Sequence, residues 1–217
     1  MIRKYWRLSW AVLAILSLSA CQSAYYSAME KVGIHKRDIM VDRVEAARDA
    51  QQDAKEEFSS ALDQFQQMFG KQDTDLQDQY DELNAAYEDS QDAADDVSKR
   101  IDAVEDVSEA LFDEWEEELN LYTSSKLRQD SANKLRETKR KYASLIGAMR
   151  AAEKRMEPVL NALRDQVLYL KHNLNARAID GLKGELKSVE TNVARLIKDM
   201  EKSIAESEAF IAELQKS

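Results

Sequence analysis

A heptad repeat of apolar residues runs through the middle of this chain and limits what the chain can fold into. From Leu76 to Trp115 the apolar side chains alternate in steps of four and three residues, and only Ser90 and Ser108 are polar at these positions. This spacing puts all of them on one face of an α-helix and is typical of coiled coils. The segment is therefore predicted to be a long helix that packs against partner helices.

A second repeat of the same kind runs from Leu135 to Leu174 and contains Pro158, the only proline of the chain. A proline inside a helix removes one hydrogen bond and costs about 3 kcal/mol. Because the repeat continues on both sides of Pro158, a kinked but continuous helix is predicted.

Shorter apolar faces lie on either side of these two repeats. The upstream face contains Val41, Val44, Phe58, Leu62, Phe65 and Phe69. The downstream face contains Leu182, Leu186, Val189, Val193, Leu196, Met200, Ile204 and Leu214. Arg48, Gln51 and Lys55 interrupt the upstream face, and polar residues at such positions can specify helix register at a cost in stability.

Turn residues divide the chain into helices. Gly70 can end a helix, Thr74 with Gln77 forms a capping-box pattern, residues 123–131 are polar, and Asp180-Gly181 indicates a last turn. The predicted helices cover residues 38–69, 74–122, 131–178 and 181–215. With only five glycines in 217 residues, the chain is predicted to be all-α: an elongated antiparallel bundle or coiled coil of about four long helices, in one domain over residues 38–217.

The charges of the two central helices are complementary. Nearly all charged residues between 73 and 122 are acidic, whereas those between 126 and 178 are mostly basic. If the chain reverses near residue 127, the acidic run 113–118 lies opposite the basic run 136–141. Since exposed ion pairs contribute only about 0.2–1 kcal/mol each, this pattern selects the neighbouring helix more than it stabilises the fold. Two independently solvated charged faces are the alternative.

The first twenty residues have the features of an export signal. Arg3, Lys4 and Arg7 precede an uncharged apolar stretch over residues 8–18. A transmembrane helix needs about 20 apolar residues, so this stretch is too short to span a bilayer and matches the apolar region of a signal peptide. Residues 1–20 are therefore predicted to be a signal peptide.

Cys21 is the only cysteine of the chain and follows this signal directly. The sequence Leu18-Ser19-Ala20-Cys21 resembles the lipobox of bacterial lipoproteins, which implies acylation of the Cys21 sulfur and a lipid-anchored segment over residues 21–37. Gln22, by resemblance to enteric sorting rules, implies the outer membrane, with the body facing the periplasm. The alternative is that Cys21 is only a small apolar residue at the end of an ordinary signal.

No residue pattern indicates catalysis, a cofactor or a metal ion. His35 and His172 have no metal-ligand companion at helical spacing, so surface or cap positions are expected, and the sequence contains no phosphate-binding glycine loop. Without residues 1–20 the chain has 28 basic and 41 acidic side chains, a net charge of −13, which argues against nucleic acid and anionic lipid as partners for the whole surface.

Antiparallel helices would put the tip around residues 119–131 at the same end as the lipidated amino terminus. We expect Leu119, Leu121 and Tyr122 to be exposed there, close to the membrane or to a membrane-bound partner. The predicted role is structural or adaptor-like, through an envelope protein partner. A carrier of lipid or another apolar ligand inside the bundle, an enzyme of unknown type, and self-association through an incomplete apolar face are alternatives that the pattern leaves open.

The sequence also resembles a known family. Residues 23–67, the stretch NLNARAI at 173–179 and the tail from Leu186 to Leu214 look like a family of Gram-negative envelope proteins catalogued as domain of unknown function 2959. This resemblance implies an all-helical exported lipoprotein. It implies no activity and no catalytic residues.

Overall fold

The computed structural model describes residues 25, 26, 28–69, 76–173 and 176–216. Four long helices account for nearly all of them: α1 (Lys36–Met68), α2 (Leu76–Glu118), α3 (Ser125–His172) and α4 (Ala176–Lys216). These ranges contain no β-strand. The predicted all-α helical bundle is therefore confirmed. The predicted signal peptide, the Cys21 anchor, Gln22, and the turn residues Gly70 and Thr74 lie outside the described residues.

Each long helix packs against two others, so the four form a closed ring. Helix α1 lies against α2 and α4, and α3 lies against the same two helices. Lys36 at the start of α1 meets Glu114 near the end of α2, whereas Gln66 near the end of α1 meets Glu190 in the first half of α4. Consecutive helices are therefore antiparallel, as in an up-down-up-down four-helix bundle.

The bundle has two distinct ends. The loop end contains the start of α1, the end of α2, the connection over residues 119–124, the start of α3 and the end of α4. The distal end contains the end of α1, the start of α2, the end of α3 and the start of α4. Helix α3, the longest with 48 residues, spans about 72 Å at 1.5 Å per residue. The two ends are therefore far apart.

Helices α2 and α3 bury the heptad positions that the sequence predicts. The buried apolar positions of the α2 repeat are Leu83, Ala94, Val97, Ile101, Val104 and Leu111. Those of α3 are Leu135, Leu145, Met149, Ala152, Met156, Val159, Leu163, Val167 and Leu170. Tyr80, Tyr87, Trp115 and Tyr142 are only partly buried. Helix α3 continues through Pro158, as predicted.

Helices α1 and α4 bury smaller side chains than the sequence pattern indicates. Between Val44 and Phe65, α1 buries Ala47, Ala50, Gln51, Ala54, Phe58 and Ala61. In α4 the buried face continues from Met200 through Ser203 and Ser207 to Phe210. Ile204 is only half-buried, so its predicted core position is wrong. The heptad position after Met200 is Ser203. Ile204 was predicted instead because it is the apolar residue next to that position.

Gln51 does not interrupt the apolar face of α1 but belongs to the core. Its side chain is 0% exposed, and the Ser203 hydroxyl donates a hydrogen bond of 2.8 Å to its Oε1. The prediction that Arg48, Gln51 and Lys55 break this face is therefore wrong, since the buried alanines of α1 keep the face continuous. The Nε2 of Gln51 is buried with no hydrogen-bond partner among the described residues, and such a group is costly to bury.

Replacing this polar pair by apolar residues is expected to stabilise the bundle. Gln51→Leu together with Ser203→Ala removes the unpaired amide and the hydroxyl at once, which we expect to raise the free energy of unfolding by about 1–2 kcal/mol. Urea denaturation followed by circular dichroism measures the change. Gln51→Leu alone serves as the control. It leaves the Ser203 hydroxyl without this acceptor, so the free energy of unfolding should rise less than in the double variant. A double variant less stable than the parent contradicts the prediction.

Four predicted helix boundaries are wrong by four residues or more: the second helix ends at Glu118 rather than at residue 122, the third covers Ser125–His172 rather than 131–178, and the fourth begins at Ala176 rather than at residue 181. The third helix begins at Ser125 rather than at residue 131, because the Ser124 hydroxyl caps it by accepting the Leu127 amide at 3.3 Å. The predicted turn at Asp180-Gly181 lies inside α4, which begins at Ala176. A Cβ at position 181 would lie 3.0 Å from the Tyr169 hydroxyl. Gly181 therefore lies close to the Tyr169 side chain of α3 and is not part of a turn.

Candidate functional site

A short helical segment at residues 25, 26 and 28–31, here called the strap, precedes α1. It ends in a Schellman motif: the Ile34 amide donates to the Met29 carbonyl at 3.0 Å, and the Gly33 amide donates to the Glu30 carbonyl at 2.9 Å. Gly33 has a φ of 83°, a conformation that favours glycine. The chain therefore reverses direction at Gly33 before it enters α1.

Tyr26 fixes the strap to the side of the bundle. Its side chain is buried, with 7% exposure. Burial and the negative charge of Asp106 in α2 raise the pKa of Tyr26, while the positive charge of Arg43 in α1 opposes the rise. Since Tyr26 lies one helical turn before Glu30 and belongs to the hydrophobic core, the strap packs against the side of the bundle.

An ionic cluster joins the strap to both of these helices. The Lys36 ammonium contacts the Glu30 carboxylate of the strap and lies 2.8 Å from the Glu114 carboxylate of α2. The hydrogen bond from Lys36 lowers the pKa of Glu30, whereas burial raises the pKa of Glu114. The two carboxylates share one ammonium, whose side chain is only 12% exposed.

A methyl group at Gly33 is expected to loosen the strap. Gly33→Ala forces an L-residue into the left-handed region, which costs about 1–2 kcal/mol, so hydrogen exchange at residues 28–34 should accelerate. Gly147→Ala is the matched control: Gly147 is exposed inside α3, and a Cβ there meets nothing within 4 Å. That change should instead stabilise α3 by roughly 0.5–1 kcal/mol. Unchanged exchange in the Gly33 variant contradicts the prediction.

A cleft of about 400 Å³ opens between the helices at the loop end. Its apolar wall is formed by Leu111, Trp115, Leu127 and Leu214. The Trp115 indole N–H donates to the Ser131 hydroxyl at 2.8 Å, which joins α2 to α3 at the edge of the cleft. The charged residues around it are Arg37, Glu114, Glu118, Asp130 and Lys134. This combination suits an apolar side chain or alkyl group with a polar head.

Exposed large apolar side chains are confined to the ends of the bundle in the part of the chain that the structure describes. At or beside the loop end they are Tyr25, Val32, Ile34, Leu121, Tyr122 and Leu127, and at the distal end they are Leu168 and Tyr169. Single exposed apolar residues are common on protein surfaces, but a group of them marks an interaction site. The loop end is therefore the principal candidate site.

Two of the three predicted tip residues are exposed. Leu121 is 78% exposed and Tyr122 is 40% exposed. Leu119 is only half-buried and packs against the core, so its predicted exposure is wrong. Its amide donates to the Trp115 carbonyl at 3.1 Å. This helical hydrogen bond keeps Leu119 on the same side of α2 as the buried residues. Leu127 was not predicted at this site, because the polar sequence around it indicated a loop.

The distal end carries a second cleft, of about 360 Å³, between α3 and α4. It is lined by Asp165, Gln166, Tyr169, Gly181, Leu182 and Glu185. Gln166 is 6% exposed, and its Oε1 has no hydrogen-bond partner among the described residues. Leu168 and Tyr169 are exposed in the penultimate turn of α3. This end therefore also presents apolar groups beside a polar one.

Ion pairs connect α2 and α3 as the charge pattern predicts. Lys139 of the basic run lies 2.5 Å from Glu116 of the acidic run. A larger cluster, which was not predicted, surrounds Arg150, whose guanidinium binds Asp102 at 2.6 Å and also Glu105. Hydrogen bonding to Glu105 is the main reason why the pKa of Arg150 is raised. Because this guanidinium is one-third exposed, the cluster orients the two helices more than it stabilises them.

The histidines occupy the kinds of position that the sequence predicts. His35 is the N-cap residue of α1, and its amide lies 3.4 Å from the Asp38 carboxylate. His172 is exposed in the last turn of α3. Within residues 25–216, as far as the structure describes them, no cluster of three or more His, Cys, Asp or Glu side chains is placed to hold a metal ion. No helix in those same ranges is long and apolar enough to cross a membrane.

Comparison with known proteins identifies the family. The family described as "Protein of unknown function (DUF2959)" matches residues 25–214. The chain belongs to this family. Its matched region contains the strap and all four long helices up to Leu214. No curated protein and no solved structure matches the chain.

Proposed function

We propose that this member of the DUF2959 family is an acyl-anchored adaptor of the bacterial cell envelope. Its helical bundle would act as a spacer that holds an interaction surface away from the membrane. The observation that carries this proposal is the confinement of exposed large apolar side chains to the two ends of the described bundle. Such a distribution fits a molecule that makes contacts through its ends rather than through its flanks.

The anchor in this proposal is Cys21. The positive start, the short apolar stretch and the lipobox-like Leu18-Ser19-Ala20-Cys21 support acylation of its sulfur after export. Gln22 supports the outer membrane as the destination, with the bundle in the periplasm. Several acyl chains at one residue give stable attachment, whereas one chain binds only marginally.

The packing of the core favours an adaptor over a carrier of apolar ligands. A carrier needs a cavity between its helices, but large apolar side chains fill the described core. Those with almost no exposure include Phe58, Phe65, Met40, Ile101, Leu145, Met149 and Leu163. The clefts are open at the surface: two lie at the ends, and others of about 420 and 260 Å³ lie on the flanks between α3 and α4 and between α2 and α3. An adaptor needs only a rigid body with accessible ends, which this packing supplies.

Photo-crosslinking in living cells tests the adaptor role. A photo-reactive amino acid in place of Tyr169 probes the distal end. The same photo-reactive amino acid in place of Gly147 is the control, because Gly147 is exposed on the flank of α3 with free space around it. We expect the distal probe to capture one reproducible envelope protein, identified by mass spectrometry, and the flank probe to capture none. Capture of nothing at either position, or of the same proteins at both, overturns the adaptor role.

A further inference from the structure

We propose that the loop end is a lipid-contacting surface, which lies in the headgroup region of the membrane that holds the anchor. This inference rests on the proposed acylation of Cys21. It adds the orientation of the bundle and the chemistry that its loop end recognises, neither of which follows from an anchor alone. Three observations carry it: where the strap leaves the bundle, which side chains are exposed at the loop end, and how the neighbouring flank is charged.

The covalent length of the chain keeps the loop end near the membrane. Tyr25 is the fourth residue after Cys21, and four residue steps span at most about 14 Å. Glu30 of the strap shares the Lys36 ammonium with Glu114, which lies four residues, or about 6 Å, before the end of α2 at Glu118. The five helical steps from Glu30 back to Tyr25 add about 7.5 Å. If the long axis of the bundle is perpendicular to the membrane, Leu121 therefore lies at least as deep in the membrane as Cys21.

The exposed side chains at the loop end suit a lipid interface. Leu121 is 78% exposed and Leu127 is 56% exposed, and Tyr122 lies between them in sequence. Lys126 and Arg128 flank Leu127 and are exposed. Long basic side chains can extend toward lipid phosphates while adjacent apolar groups enter the acyl boundary, and tyrosine is favoured at this depth. Val32 and Ile34 add apolar surface at the turn after the strap.

The charge of the flank disfavours a bundle that lies flat on the membrane. The strap emerges beside α2, where Asp106, Glu109 and Asp113 are exposed. A flat orientation on this side would press these carboxylates against anionic headgroups, which repel them. Residues 116–118 place exposed carboxylates at the loop end as well. Beside them, however, lie exposed Leu121 and Leu127 with the basic residues Lys126 and Arg128, which the acidic flank of α2 lacks, so an upright or tilted bundle with the loop end down is favoured.

Depth measurements on the acylated full chain test this inference. Because Cys21 is the only natural cysteine and its sulfur is acylated in the proposal, Leu121→Cys provides one free thiol for an environment-sensitive fluorophore. Leu168→Cys is the matched control, an exposed leucine at the distal end. Both proteins are reconstituted into vesicles of phosphatidylethanolamine with phosphatidylglycerol. The readouts are quenching by lipids that carry a nitroxide near the headgroup, and quenching by aqueous iodide.

We expect nitroxide quenching at position 121 to exceed that at position 168 several-fold, and iodide quenching at 121 to fall when vesicles are added. Equal nitroxide quenching at the two positions, or full iodide access at 121, overturns the inference. Capture of a protein by a photo-probe at 121 in native membranes, without nitroxide quenching in vesicles, assigns the loop end to a protein partner instead. Intact mass is measured first: a chain without acyl groups overturns the anchor itself, whereas an acylated chain with an unquenched probe overturns only the lipid contact.

Discussion

Phe58→Ala is expected to lower the free energy of unfolding by about 3–5 kcal/mol. Phe58 is 0% exposed, and its neighbours on the buried face of α1 are Ala54 and Ala61. These small side chains cannot move in to fill the space that the ring leaves, so both the transfer free energy and the cavity contribute to the loss. Since natural domains are stable by only about 5–15 kcal/mol, this single change should remove a large part of the total stability.

Urea denaturation monitored by circular dichroism measures this loss. Leu121→Ala is the control, because Leu121 is 78% exposed at the loop end and such surface changes usually stay within about 0.5 kcal/mol. The contrast between a buried and an exposed apolar residue tests the assignment of the α1 core. A Phe58 variant as stable as the Leu121 variant would show that α1 does not pack as described.

Exchange of residues 1–21 for a secretory signal that is removed completely is expected to release the protein from the membrane. Each buried methylene contributes about 0.8 kcal/mol to anchoring, so loss of several acyl chains removes nearly all of the attachment. No helix in the described ranges is apolar enough to replace it. Fractionation of cells should therefore find the parent in the membrane pellet and the exchanged protein in the soluble periplasmic fraction.

Gln22→Asp is the matched control for this experiment. The substitution keeps Cys21 and its acyl groups, and by the enteric sorting rule it should move the protein to the inner membrane without releasing it. Density-gradient separation of the two membranes measures the shift. A parent protein that is soluble without detergent, or an exchanged protein that stays in the pellet, contradicts the proposed anchor.

Much of the fold could be predicted from the sequence because the heptad repeats of α2 and α3 are long and regular. An apolar face that repeats over many turns can be buried only by packing against another helix, so the spacing predicted these two helices. Their complementary charges predicted the contact between them. The prediction failed where a polar or small residue occupies a core position. Gln51 and Ser203 satisfy part of each other's hydrogen-bonding capacity, and hydrophobicity patterns contain no information about such pairs.

The candidate site was predictable only in part. Leu121 and Tyr122 were found because they follow the end of a repeat, but Leu127 was assigned to a loop, although Ser124 caps the helix that contains it. The strap was missed as an element. Its position depends on the reversal at Gly33 and on the burial of Tyr26, which involve residues distant in sequence.

The sequence by itself determined the helical class and the apolar faces of the two central helices, because local periodicity and side-chain chemistry suffice for these. It also supplied the whole basis for the proposed anchor at Cys21. Only the tertiary structure decided that α4 closes the ring against α1, that Gln51 belongs to the core, and that the strap leaves the bundle from its side. Each of these depends on contacts between residues far apart in the chain, and their energies follow from packing and hydrogen bonding in three dimensions rather than from local pattern.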